Sequence, residues 1–164
     1  MTSVISDSFE GRWSDYLTTQ VRIRMPEHVL EVRSMTGGTI GNFPNVSGNA
    51  IHIMTAHNPG RQLTDEQNAR RQQELVSQVE GRKGVTWWQA VGGDPQWRHV
   101  EDSIAVTSLT EQQALDLARQ YQQDAILAWS PDQWRLLACD ESLEHSTGWR
   151  AFPLTMGTWP PHPS

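Results

Sequence analysis

The order of strand and helix signals predicts an α+β fold, with a ferredoxin-like βαββαβ core, an extra N-terminal hairpin and an additional C-terminal strand. Three observations carry this. Short apolar runs of strand length recur between turn residues. Two helical stretches fall between them, each opened by Thr and a Gln three residues later. The resulting order from residue 51 to residue 129 is strand, helix, strand, strand, helix, strand.

The elements follow in chain order. Residues 6–18 read as a short helix, with Ser6, Asp7 or Ser8 as the cap and Phe9, Trp13, Tyr16 and Leu17 at helical spacing. Residues 20–24 and 29–33 alternate around Met25-Pro26-Glu27-His28, a hairpin with one solvated face. Residues 36–50 are rich in Gly, Asn, Ser and Thr and form a long loop. Ile51-His52-Ile53-Met54-Thr55-Ala56 is mostly apolar, as suits a central strand. Thr64 and Gln67 cap a helix over 65–80 with Gln72, Leu75, Val76 and Val79 inward, and Gly81 ends it. Strands follow at 85–91 and 101–107. Thr110 and Gln113 open a second helix carrying Ala114, Leu115, Leu117, Ala118 and Tyr121 inward. The last strands are 125–129 and 134–138. Beyond Asp140 regularity fades, and 153–164 is a Pro-rich tail. The whole of 1–164 reads as a single domain.

Composition narrows the function classes. The net charge of -6 disfavours a nucleic-acid reader. Twelve of the thirteen basic residues are Arg, suited to fixed contacts with carboxylate or phosphate, although a biased genome composition would give the same excess. Cys139, the single cysteine, sits in an apolar run and reads as a core residue. No stretch approaches the roughly 20 apolar residues of a membrane span. The N-terminus lacks a signal-peptide core, so a cytoplasmic location is expected. Glycine-rich phosphate loops are absent. His57, His99 and Glu101 lie on separate loops without helical ligand spacing, so neither a metal nor any other cofactor is expected.

The predicted topology does bring polar residues together. The end of strand 51–56 would lie beside the starts of 101–107 and 125–129, so His57-Asn58-Pro59-Gly60-Arg61, 94–101 and 122–124 converge. At that edge Asn58, Arg61, Asn68, Arg71, Trp97 and Gln123 are the candidate ligand-binding residues, with Glu101 and His99 as candidate acid–base groups. Asn68 falls on the inward stripe of its helix, where an amide must be hydrogen-bonded. Trp97 is the tryptophan suspected of stacking on a ligand. Arg61 or Arg71, with the helix start, would hold an anion. Each feature has a plainer reading. Asn58-Pro59 is also turn chemistry, and Glu101 could simply pair with Arg61 or Arg71.

Several of these stretches are similar to a known family. Thr55-Ala56-His57-Asn58-Pro59, Asn68 with Arg71 and Leu75, Glu101-Asp102-Ser103 and the run Tyr121-Gln122-Gln123-Asp124-Ala125-Ile126-Leu127-Ala128-Trp129 resemble the bacterial domain-of-unknown-function family numbered 3293. Trp13 to Tyr16 fits too, so the likeness spans about residues 10–130. Gln122 and Asp102 depart from the pattern, where Gly and a second Glu are usual. The resemblance implies no activity.

Two functions compete. One is a small-molecule site, for an anionic ligand and with or without catalysis, around the 57–61 loop. The other is a protein-interaction or regulatory module, in which the polar cluster is structural and a protein partner meets the sheet edges, the 36–50 loop or the segment 149–161.

Overall fold

A computed structural model describes residues 9–163. The expected caps Ser6, Asp7 and Ser8 lie outside the described residues. In chain order the elements are α1 (Phe9–Leu17), β1 (Gln20–Arg24), β2 (Val29–Met35), β3 (Thr39–Ile40), β4 (Ile51–Met54), α2 (Asp65–Glu80), β5 (Trp87–Gly93), β6 (Val100–Val106), α3 (Glu111–Gln120), β7 (Ala125–Trp129), β8 (Trp134–Ala138) and β9 (Glu144–Leu154). A 3-10 turn, Met156–Thr158, follows.

The helix starts arise from local chemistry. Thr64 accepts from Gln67 N, and the Gln67 side chain accepts from Thr64 N; Thr110 and Gln113 do the same for α3. Each box satisfies two backbone groups that a helix start leaves open. Leu75 and Val79 on α2, and Ala114, Leu115, Leu117 and Ala118 on α3, are buried. They pack on Met54, Ile104, Val106, Ile126 and Ala128, which face away from the barrel interior.

The ferredoxin-like α+β expectation is wrong. β4 does have β6 and β7 as antiparallel neighbours, with β5 beyond β6. An open sheet would stop there. Here β5 continues to β1 and β2, and β7 continues to β8 and β9. β2 then pairs with β9, from Val29↔Leu154 to Met35↔Gly148, and closes an eight-stranded antiparallel barrel. The N-terminal hairpin is therefore wall rather than an extension. β3 pairs in parallel with Trp149 and Arg150 of β9, within the stretch expected to be loop.

The stretch after Asp140 forms the closing strand rather than irregular chain. Its alternation is weak, with one apolar residue, Leu143, between Asp140 and Trp149. Gly148 and Pro153 also interrupt it, and both residue types weaken a strand signal. Gly148 is required by packing: a Cβ there would collide with the backbone of Gly37 and Gly38.

Inward residues fill one half of the barrel. Trp129 and Trp149 are fully buried, with ring centroids 5.3 Å apart at 84°. Trp134 and Phe43 pack edge-on against Trp129. Ile23, Leu30, Val32 and Ile51 complete this layer. An eight-stranded barrel is just wide enough for such side chains to fill it, or for one small ligand. On the outer face of the β1–β2 hairpin, buried Glu31 pairs with Arg22 at 3.0 Å and Arg33 at 3.1 Å. Arg22 also donates to Thr158 O, tying the segment after β9 to the wall.

Candidate functional site

The other half of the barrel is not filled. A cavity of about 410 Å³ opens at the end opposite the tryptophans. Val21, Ile53, Leu127 and Leu136 line its apolar part. Thr55, Ser103 and Glu101 line it further out, together with Asn58 and Gln123 from the loops after β4 and α3. Gly92, Gly93, Asp94 and His99 form one side, and Arg12, Asp15 and Tyr16 of α1 lie at the rim.

Alternation along the strands explains the inward set. On β6, Glu101 and Ser103 share the face of Ala105, which belongs to the interior core. Their partners across the ladder are Gly92 and Ala90 of β5. Small residues there leave room for the carboxylate. Gly93 is required for the same wall: a Cβ would sit 2.5 Å from Trp97 Cε3.

The 94–99 turn presents His99. Asp94 Oδ1 accepts from His99 N at 2.6 Å, and Oδ2 from Gln96 N at 3.3 Å. Burial opposes the charge on Asp94, but these N–H donors outweigh it and the carboxyl is held below its ordinary range. His99 Nε2 lies 3.3 Å from Glu101 Oε1. That hydrogen bond raises the imidazole pKa, with burial opposing and the charges of Glu101, Asp94 and Asp15 adding to the rise. His57 behaves oppositely. Burial lowers its pKa, and its Nε2 has no partner among the described residues.

The predicted site residues divide into two groups. Asn58, His99, Glu101 and Gln123 line the cavity. The others do not. Asn68 is buried behind Asn58, accepting from Asn58 N at 2.9 Å and donating Nδ2 to Asn58 Oδ1 at 2.9 Å. Arg71 donates to Ala56 O at 2.7 Å and to the carbonyl of Tyr121. Gln72 Oε1 accepts from Ala56 N at 3.1 Å. These three side chains brace the end of β4 against α2 and the end of α3. Arg61 is exposed and away from the lining. Trp97 is buried with the Arg22 guanidinium 4.8 Å from its ring centroid, so its face is already occupied.

Sequence reasoning missed the contribution of α1. Arg12 pairs with Asp124, and Tyr16 donates to Asp124 Oδ2 at 2.9 Å, which seats the helix over the mouth. Burial, then the Asp124 charge, push the Tyr16 phenol pKa up, so it stays protonated. The signal was present: Tyr16 stands on the apolar stripe of α1, and Asp124 in a segment already placed at the edge. Cys139 lies outside the cavity lining, buried, with burial pushing its thiol up to about 12. Among the described residues no cluster of His, Cys, Asp or Glu could hold a metal ion, and no helix is long and apolar enough to cross a membrane.

Residues 54–126 match the family model described as protein of unknown function (DUF3293). The match supports the resemblance read from the sequence. It runs from the end of β4 into β7 and so contains Asn58, His99, Glu101 and Gln123. Within the family match lie both the brace and one side of the cavity, whereas α1, β1, β8 and β9 lie outside it. No curated protein matches the sequence.

Two tests follow from this division. Asn68→Ala strips partners from the buried Asn58 amide and should cost about 1–3 kcal/mol in urea unfolding. Glu101→Gln, measured at a pH above the His99 midpoint where the pair adds no stability, should change it by no more than about 0.5 kcal/mol. Equal losses would contradict the division. NMR titration of the imidazoles should place His99 above the ordinary 6.5 and His57 below it. The His99 pair adds stability below its unfolded pKa and loses it as pH rises through the folded one. Glu101→Gln should bring the His99 midpoint down; an unmoved midpoint would show that Glu101 does not set it.

Proposed function

We propose that this chain binds a small organic molecule in the open mouth of the barrel, with His99 and Glu101 placed to exchange a proton with it. The observation that carries this is the half-filled interior. A tryptophan floor closes one end, and an accessible cavity of about 410 Å³ occupies the other. That volume is in the range of small-molecule pockets, which join apolar walls to a few placed polar groups. The walls here are aliphatic, and the polar groups come from separate segments of the chain. His99 has a carboxylate partner and stands at the rim, the geometry of an acid–base pair.

The lining does not favour the anionic ligand expected from Arg61 and Arg71. Neither residue reaches it, and the start of α2 is capped by its own side chains. Asp15, Asp94 and Glu101 line the cavity, against Arg12, which is paired to Asp124, and His99.

Protein interaction finds less support. Each of the eight barrel strands has a neighbour on both sides. From the 36–50 stretch, Phe43 and Val46 pack on the interior core, and Trp149 is inside it. The large apolar side chains Phe43, Val46 and Trp149 are thus already used within the chain.

A fragment screen on the 15N-labelled protein tests the reading. Binders should shift the amides of Thr55, Glu101 and Gln123. Ala125→Phe, which puts a ring into the mouth, should weaken them about tenfold or more. An empty screen, or binding untouched by Ala125→Phe in a folded variant, would remove the proposal.

A further inference from the structure

The cavity wall also specifies a ligand class, an inference that rests on the small-molecule reading above. Asn58 is only 8 % exposed. Its Oδ1 accepts from Leu63 N at 3.0 Å and Asn68 Nδ2 at 2.9 Å. Those two donors fix which end of the carboxamide is oxygen. Its Nδ2 has no acceptor among the described residues, although Asn58 lines the cavity.

Gln123 has the opposite arrangement. Its Nε2 donates to His57 O at 2.9 Å and Tyr121 O at 3.2 Å. Two carbonyl acceptors identify that end as nitrogen, so Oε1 is the end left over. Gln123 also lines the cavity and grips the peptide immediately before Asn58. One stretch of wall thus carries a spare N–H donor and a spare C=O acceptor. Both belong to side chains immobilised by their other ends, so little ordering entropy remains to be lost on binding.

We propose that the ligand is a neutral molecule bearing a primary carboxamide or lactam, whose C=O accepts from Asn58 Nδ2 and whose N–H donates to Gln123 Oε1. Its apolar body packs against Val21, Ile53, Leu127 and Leu136. Charged relatives fit less well. A carboxylate would set a lone pair against Gln123 Oε1, in a lining that already holds Asp94 and Glu101. An ammonium group has no acceptor to offer Asn58 Nδ2. A site built to pair both groups rejects molecules that leave one unpaired.

The test uses phenylacetamide, phenylacetate and phenethylamine as matched probes, measured by NMR titration at pH 7. The amide should bind at least about tenfold tighter than the acid or the amine. N,N-dimethylphenylacetamide keeps the carbonyl and lacks the N–H, and should also lose about tenfold. Asn58→Asp retains the oxygen that Leu63 and Asn68 need and replaces the Nδ2 donor, and should weaken the amide about tenfold while leaving the acid–amide ranking of the wild type as reference. Asp tolerates the positive φ of 45° at this position. Tighter binding of the acid or the amine overturns the proposal, as does a dimethyl amide that binds equally well. An amide affinity unchanged in folded Asn58→Asp overturns it too. The dimethyl probe decides the matter even where the variant does not fold. If none of the probes binds while other fragments shift the cavity amides, the amide class falls and the small-molecule reading stands. If nothing binds in either experiment, both fall.

Discussion

Pairing of β2 with β9 is the constraint on which the rest of the molecule depends. It joins residues more than a hundred positions apart, from Val29↔Leu154 to Met35↔Gly148. Without it the sheet would be open, and its inner face would need another layer to cover it. With it the sheet encloses its own core, and the helices are free to cover part of the outside. Closure also fixes the diameter. Eight strands give an interior that four large rings, with aliphatic neighbours, fill at one end only.

The polar residues at the open end serve two purposes, and whether they line the cavity separates them. Asn68, Arg71 and Gln72 spend their hydrogen bonds on Asn58 and on the peptide groups of Ala56 and Tyr121. They hold loops that would otherwise carry unpaired backbone groups. Asn58, Gln123, His99 and Glu101 stand one layer further in, where each reaches the cavity. Asn58 and Gln123 belong to both layers: one end of each amide is held, and the other is available. Such pre-organisation is what a precise binding wall requires.

Much of this is legible in the sequence, because it is local. The boxes Thr64–Gln67 and Thr110–Gln113 announce α2 and α3, and the inward position of Asn68 follows from helical spacing. The convergence of the 57–61, 94–101 and 122–124 segments follows from short connections around β4. Closure was not legible. Its strand, β9, is polar through Thr147 and contains Gly148 and Pro153, so neither periodicity nor propensity marks it. Nor could spacing show that Arg71 would turn toward carbonyls, or that Trp97 would lie under Arg22. Those outcomes depend on which partners the closed barrel brings within reach. The positions of Arg61 and Arg71 outside the cavity lining have the same origin, since an arginine near a site in sequence need not face it.

Native-state hydrogen exchange tests closure most directly. The backbone amides that β2 and β9 exchange across their ladder should open only with global unfolding, with the same free energy as the amides of β4 and β6. Exchange of the β2–β9 amides through a separate, lower-energy opening would contradict the account, because the cavity would then belong to a sheet that is closed only part of the time.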